Sequence, residues 1–245
     1  PESFFESVRR LMDMTGIMKD RYNRNLGTVS AEEQQLLKTK SVCVAGCGGL
    51  GGTVIENLVR IGTGRITAID GDVFEESNLN RQVLSNEADL GRPKAEEAAE
   101  QMKVINSEVT VRPVVEFVRA DNARRLVAGH DVVVDALDNI SSRKILEAAC
   151  EAEGIPLVHG AIAGWNGQVA VIMPGDRIIE MIYSGDEDKG SERETGNPAF
   201  TPAVIASMEA AEVIKLLLGR EGVLRNRMLM ADLLNHQYEI VDFGE

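Results

Sequence analysis

Three scarcities narrow the reading of this 245-residue chain before any motif is weighed. Cysteine is rare: Cys43, Cys47 and Cys150 are all there are, and no pair has the spacing of a zinc knuckle, so the thiols read as reduced and structural. Cys47 is the one to watch, because a helix N-terminus beside it could lower a thiol's pKa. Positive charge is in deficit, with 26 Lys and Arg against 39 Asp and Glu and a net charge of −13. That field is the wrong sign for nucleic acid or an anionic membrane surface. Long apolar runs are missing too, so nothing in the sequence reads as a bilayer-spanning helix. Residues 1–20 interrupt their apolar stretches with Arg9, Arg10 and Lys19 where a secretory signal would build a continuous core, and a cytoplasmic location is expected.

What is present is a regular alternation of strand and helix patterns. Phe4–Met18 carries apolar residues at helical intervals, and Ser30 with Glu33 makes a capping box for a short helix ending near Lys40. From there the pattern predicts strands at 42–45, 66–70, 109–114, 132–136 and 156–161, with helices at 50–61, 93–105, 121–127 and 142–153 between them. This is the pattern of an α/β, Rossmann-like, doubly wound and mainly parallel sheet whose strand ends share one ligand-binding rim. Past Gly160 the spacing changes to strands at 167–173, 178–182, 228–230 and 238–241 that extend the sheet in antiparallel fashion, with a long helix over 201–219. Segment 184–197 has almost nothing apolar and is expected to be mobile as part of a crossover over 184–202. The expected organisation is therefore one domain over 1–245: a helical arm at 1–40, a nucleotide-binding part at 41–161, and the antiparallel strands, crossover and long helix at 162–245.

The chemistry is concentrated after the first strand. Val42–Gly52 reads V-C-V-A-G-C-G-G-L-G-G, in which Gly46 permits a tight turn, Gly48 lets backbone approach phosphate, and Gly51 lets helix and strand pack closely. The N–H groups and dipole of the next helix then favour an anion. Alone, this turn leaves a dinucleotide, ATP or S-adenosylmethionine open. Asp70, nineteen residues after Gly51, ends the second strand where an acid accepts from ribose hydroxyls. Asn78, Asn80, Arg81, Gln82, Arg92 and Lys94 follow without an intervening strand, as a loop that grips a triphosphate requires. Asp138 closes the set at another strand end on the same rim, where a carboxylate beside polyphosphate would hold magnesium. His130, His159 and His236 are scattered and read as structural or exposed, and Trp165 as core.

These segments resemble the ThiF/MoeB/HesA family of ubiquitin-activating-like adenylyltransferases. The likeness rests on Arg21 to Arg24 (R-Y-N-R), Gly46 to Gly51 (G-C-G-G-L-G), Asp70-Gly-Asp72, Ser77 to Gln82 (S-N-L-N-R-Q), Gly91 to Lys94 (G-R-P-K) and Asp135 to Asn139 (D-A-L-D-N), in family order over residues 20–245. It implies ATP on the turn made by Gly46, Gly48, Gly49 and Gly51, with Asp70 on the ribose and Asp72 beside it. Asn78, Arg81, Gln82 and Lys94 would hold the phosphates, with Asp138 on magnesium next to Asn139. Arg24 would enter the site of a partner subunit in a homodimer, so that Arg24, Arg81, Lys94 and Asp138 form the catalytic set. The substrate implied is the Gly-Gly C-terminus of a small ubiquitin-like sulfur-carrier protein, whose carboxylate attacks the α-phosphate and releases pyrophosphate. In-line placement and electrostatic stabilisation carry such chemistry without a general base.

The departures from the family pattern also carry information. Relatives of this type commonly hold zinc on two Cys-x-x-Cys pairs, whereas residues 180–185 and 229–235 contain no cysteine, so zinc is not expected. The crossover has no cysteine for thioester or persulfide chemistry, which makes the acyl adenylate the expected end point. Two other classes stay open: adenylylation or dehydration of a different acceptor such as a peptide or a tRNA base, and an NAD-binding or non-catalytic scaffold. Arg81 and Lys94 discriminate against the last, since a dinucleotide has no γ-phosphate for them.

Overall fold

A computed structural model describes residues 20–184 and 195–244. Its strands join one eight-stranded sheet in the order β3-β2-β1-β4-β5-β6-β7-β8. Strands β1 (Ser41–Ala45), β2 (Arg65–Ile69), β3 (Thr110–Val114), β4 (Val132–Asp135) and β5 (Leu157–Ala163) pair in parallel. Strands β6 (Asn166–Ile172), β7 (Arg227–Asp232) and β8 (Gln237–Asp242) continue the sheet antiparallel. Parallel neighbours need covered crossovers, which are supplied by α2 (Gly49–Ile61), α3 (Lys94–Ile105), α4 (Ala123–Val127) and α5 (Ile140–Glu153). A short helix α1 (Ala31–Leu37) precedes β1, α6 (Ile178–Ile182) follows β6, and α7 (Phe200–Leu217) precedes β7.

Both faces of the sheet are covered, which is why β1 reads as an unbroken apolar run with all five residues buried. Its side chains alternate between two cores. Val42 and Val44 join Ile55 of α2, Met102 of α3 and Ile205 of α7, while Cys43 and Ala45 join Leu126 of α4, Leu146 of α5 and Ile179 of α6. The chain builds outward from β1 through β2 to β3 and then crosses back to place β4 on the other side of β1, so the C-terminal ends of β1 and β4 open a crevice at the switch point.

Local signals fix several helix ends. Ser30 and Glu33 form the expected capping box on α1, Gly62 takes a left-handed φ of 93° to stop α2, and Asn139 caps α5 by accepting from Ser142 N at 2.8 Å. Two expectations need correction. Segment 178–182 is helix α6, not a strand: the Glu147 carboxylate accepts from the N–H groups of Ile179 (2.7 Å) and Glu180 (3.2 Å), satisfying the orphan donors of a helix start, and β7 already occupies the sheet position beside β6. Trp165 is not core: it sits 45% exposed at the β5–β6 turn with its ring 4.4 Å from that of Phe200. The expected amphipathic helix at 4–18 lies outside the described residues, as does most of the expected mobile crossover, whose last residues, 200–202, already belong to α7.

Helix α7 lies on β5 and β6 at unusually close range. A Cβ at Gly160 would fall 2.3 Å from the carboxyl carbon of Glu209, so only glycine fits there. Glu209 itself is fully buried, and neither carboxylate oxygen has a hydrogen-bond partner among the described residues. Burial, reinforced by the negative charge of Asp135, holds its pKa well above the ordinary Glu value, so the folded chain keeps the proton that the unfolded chain gives up. Folding stability from this site is then intact below the ordinary Glu value and falls as pH rises toward the folded-state value. Glu209→Gln is expected to keep the packing and remove the ionisation: from about pH 5 to about pH 8 its melting temperature should fall less than the wild type's. Parallel pH profiles for the two proteins would mean that Glu209 is not held protonated.

Candidate active site

The crevice at the strand ends is a cleft of about 410 Å³. The fold brings Gly46, Gly48, Gly49, Asp70, Asp72 and Asn78 to its wall, together with Arg81, Gln82, Lys94, Asp138 and Asn139. Gly51 lies behind that wall: a Cβ there would come 1.8 Å from the Gly46 carbonyl oxygen, so α2 crosses the turn at backbone contact. Gly46, at φ +100°, is equally constrained, since its Cβ would meet the Ala136 carbonyl oxygen at 2.4 Å. Arg24 does not reach the cleft of its own chain; it is exposed on the turn before α1.

Asp70 organises the glycine turn. Its Oδ2 accepts from Cys47 N and its Oδ1 from Asp72 N, each at 2.8 Å. Burial raises its pKa above the ordinary Asp value, against the opposing effect of those two N–H groups and Lys94. Each carboxylate oxygen keeps a further lone pair for a hydroxyl donor. Cys47 is buried beside it, and burial together with the Asp70 charge pushes its thiol well above the ordinary range, in keeping with a structural thiol and against an activated one.

The loop after β2 presents the cations. Lys94 opens α3, largely buried, with Nζ 3.6 Å from Asp72 Oδ2. The Arg81 guanidinium donates to the Ser77 carbonyl and Asn80 Oδ1, both at 2.9 Å. Asn78 spends its Oδ1 on Glu75 N at 3.1 Å, so it shapes the loop as well as lining the cleft. Gln82 differs: it is buried, its amide lies against Gly48, and its Oε1 has no partner among the described residues. An orphaned polar atom on a cleft wall marks a place where a ligand donor can bind. Opposite, Phe117 packs its ring over Gly71, and Val118, Leu137 and Ile162 add an apolar wall of the sort a planar base needs.

Asp138 is exposed three residues past β4, with Oδ1 accepting from Asn139 Nδ2 at 3.2 Å. The turn that carries it is fixed from below by a buried group that the sequence reading did not assign to the site. Asp135 accepts from Leu137 N (3.1 Å) and from His159 Nδ1 (2.8 Å), and Arg143 donates to the carbonyls of Leu137 and Gly160. Burial works to raise the Asp135 pKa, but Arg143 and the His159 hydrogen bond outweigh it and hold the group below the ordinary Asp value. Burial and the Arg143 charge lower the His159 pKa against the pull of Asp135, so the pair is a carboxylate with a neutral imidazole. Nδ1 therefore carries the proton given to Asp135, and the 3.3 Å approach of Arg143 Nη1 to that nitrogen is a close contact between donors. Arg143 and Tyr183 line the cleft as well. The signal for Arg143 was present: it stands four residues after Asn139, one turn into α5 and facing the strand that carries Asp135.

The ThiF family profile matches residues 22–245. The chain is 38% identical over 229 residues to the SAMP-activating enzyme E1 of Haloferax volcanii, covering 91% of this chain and 85% of that protein. It is 37% identical over 230 residues to the sulfur carrier protein adenylyltransferase of Thermus thermophilus, covering 89% and 85%. To the molybdopterin-synthase adenylyltransferase of Salmonella typhimurium it is 35% identical over 225 residues, covering 89% and 90%. Among solved structures, Escherichia coli MccB with ATP superposes at a TM-score of 0.77 with 24% identity, covering all of this chain and 80% of that one, a likeness of fold. With the glycine turn, its acid and the cationic loop found on one cleft, and these relatives matched over nearly their whole length, the chain belongs to the ThiF family.

Proposed function

We propose that this protein is an ATP-dependent adenylyltransferase acting on the C-terminal carboxylate of a small ubiquitin-like sulfur-carrier protein. The observation that carries the reading is the convergence, on one cleft, of a phosphate-binding glycine turn, a ribose acid and a loop bearing Arg81 and Lys94. Relatives named for activating such carriers support the substrate. A net charge of −13 disfavours the RNA-base acceptor.

In this reading the base lies against Phe117 and Leu137, Asp70 accepts from the ribose hydroxyls, and the start of α2 receives phosphate oxygens. The substrate carboxylate oxygen bonds to the α-phosphorus, the bond from that phosphorus to the bridging oxygen breaks, and pyrophosphate leaves with the electron pair. Arg81 and Lys94 stabilise the charge that grows on the leaving group. Magnesium fits Asp138, an exposed carboxylate on a phosphate cleft, because this cation keeps water and phosphate ligands and takes only one or two carboxylates from protein. When bound, it would neutralise phosphate charge.

Zinc does not fit. No group of three or more His, Cys, Asp or Glu among the described residues could hold a metal, and the region of α6 is fastened otherwise, by Glu147 on its first N–H groups and by an Asp176–Arg225 ion pair at 3.2 Å. Purified protein should carry no stoichiometric zinc and keep its melting temperature in chelator. One zinc per chain by elemental analysis would overturn that.

The carrier-dependent exchange of labelled pyrophosphate into ATP tests the function directly. Asp138→Ala should lower exchange at least about a hundredfold while changing ATP affinity far less, because the lost charge stabilisation matters most as the leaving group departs. Near-normal exchange would remove Asp138 from the site.

We further propose a homodimer in which Arg24, exposed and away from its own cleft, completes the partner's site. Arg24→Ala and Asp138→Ala homodimers should each be nearly inactive, yet mixed and re-equilibrated they should recover about a quarter of wild-type activity, since one site of each heterodimer has both residues. No recovery in a mixture proven to exchange subunits would reject the shared site.

A further inference from the structure

Below the cleft floor, Gln168 of β6 gives one amide hydrogen to His159 Nε2 at 3.1 Å and directs the other at the Tyr183 hydroxyl, also at 3.1 Å. This uses both donors of the amide and fixes its orientation. It also fixes the imidazole, because Nε2 must accept while Nδ1 donates to Asp135. Asp135 in turn receives Leu137 N, one residue before Asp138. The Arg143 guanidinium runs alongside, 3.4 Å from the Tyr183 hydroxyl and bonded to the Leu137 carbonyl. A continuous chain of contacts thus links Tyr183, which follows α6, to the turn that carries Asp138. His159, at its centre, is fully buried, and the Tyr183 ring meets it edge-on with centroids 6.0 Å apart.

We infer that Tyr183, Gln168 and His159 are positioning residues that act through Asp135 to hold the Asp138 turn, so that the cleft wall after α6 and the turn after β4 move as one unit. The physical ground is cost. A buried imidazole that loses one of its two partners leaves a polar nitrogen unpaired, so Tyr183, Gln168, His159 and Asp135 are stable together and unstable in part. The Asp138 turn has no helix or strand of its own from 136 to 139, so these bonds set its geometry. A shift of about 1 Å there is enough to cost roughly a hundredfold in rate.

The inference rests on the proposed adenylation for its kinetic arm only. Tyr183→Phe removes the hydroxyl and keeps the ring against His159. His159→Asn keeps a donor for Asp135 and breaks the contact to Gln168. In pyrophosphate exchange, Tyr183→Phe should lower kcat about tenfold in the wild-type background and less than about twofold in the His159→Asn background, with KM for ATP unchanged in both. Equal losses in the two backgrounds would overturn the relay, because Tyr183 would then act through a contact of its own. A second arm needs no activity. In the free protein, ¹⁵N shifts should show His159 protonated on Nδ1 alone, and the Leu137 amide should exchange with solvent about tenfold faster in Tyr183→Phe while β1 amides stay as protected as before. Unchanged Leu137 exchange would reject the relay even if the exchange assay worked. Wild-type protein inactive with every carrier, but with the Leu137 effect present, would reject the adenylation reading and leave the relay standing.

Discussion

The structure depends on one point of backbone contact. Where β1 ends, the Gly46 carbonyl lies so close to Gly51 that no side chain fits between them, and Gly46 is held as tightly against the Ala136 carbonyl. Three chain segments therefore meet at van der Waals contact: the turn after β1, the first turn of α2 and the turn after β4. That contact aims the helix start into the cleft and sets the distance between the glycine turn and the Asp138 turn. Asp70 then locks the arrangement by accepting from Cys47 N, which ties the end of β2 to the same turn. Any Cβ at Gly46 or Gly51 would push apart segments whose separation defines the site, and a shift there is transmitted because packed backbone does not deform gradually.

The buried polar groups fall into two kinds with opposite consequences. Asp135, His159 and Gln168 are joined by hydrogen bonds, with Arg143 bonded alongside to the carbonyls of Leu137 and Gly160, and such a network rigidifies. Glu209, across the sheet, is buried without a partner and stays in the fold by keeping its proton. The first arrangement costs little and orders the site. The second costs stability, and it is tolerated where α7 needs to lie directly on Gly160.

Much of this was legible in the sequence, and the parts that were not share a cause. The alternating elements, the glycine turn and its acid, and the cationic loop are all local signals: each depends on spacing within a few residues, and each is found where the spacing put it. Helix α6 reads as a strand from sequence because Ile178 and Ile179 are β-branched. The carboxylate that makes the segment helical is Glu147, about thirty positions earlier and on another helix. Trp165 reads as core from sequence because burial of an isolated aromatic depends on what crosses above it, which no window contains. Arg143 stands one helical turn beyond Asp135 to Asn139, yet a lone Arg in a helix has no meaning in sequence until Asp135 and His159 are seen beneath it. Long-range pairing was the information that spacing did not supply.

If the cleft carries the proposed adenylation, binding there need not be tight for catalysis to be effective. Its charged side chains are already engaged: Arg81 with Ser77 and Asn80, Lys94 with Asp72, and Asp70 with two backbone N–H groups. A phosphate entering this site exchanges one set of partners for another, so the net gain from each contact is far below its gross strength. The same internal partners keep the side chains in place when the cleft is empty, so little ordering remains to be done when charge shifts toward a leaving group. Preorganised donors of this kind are worth more at the transition state than in the ground state, because the charge they face is larger there while their own cost of alignment has already been met in folding.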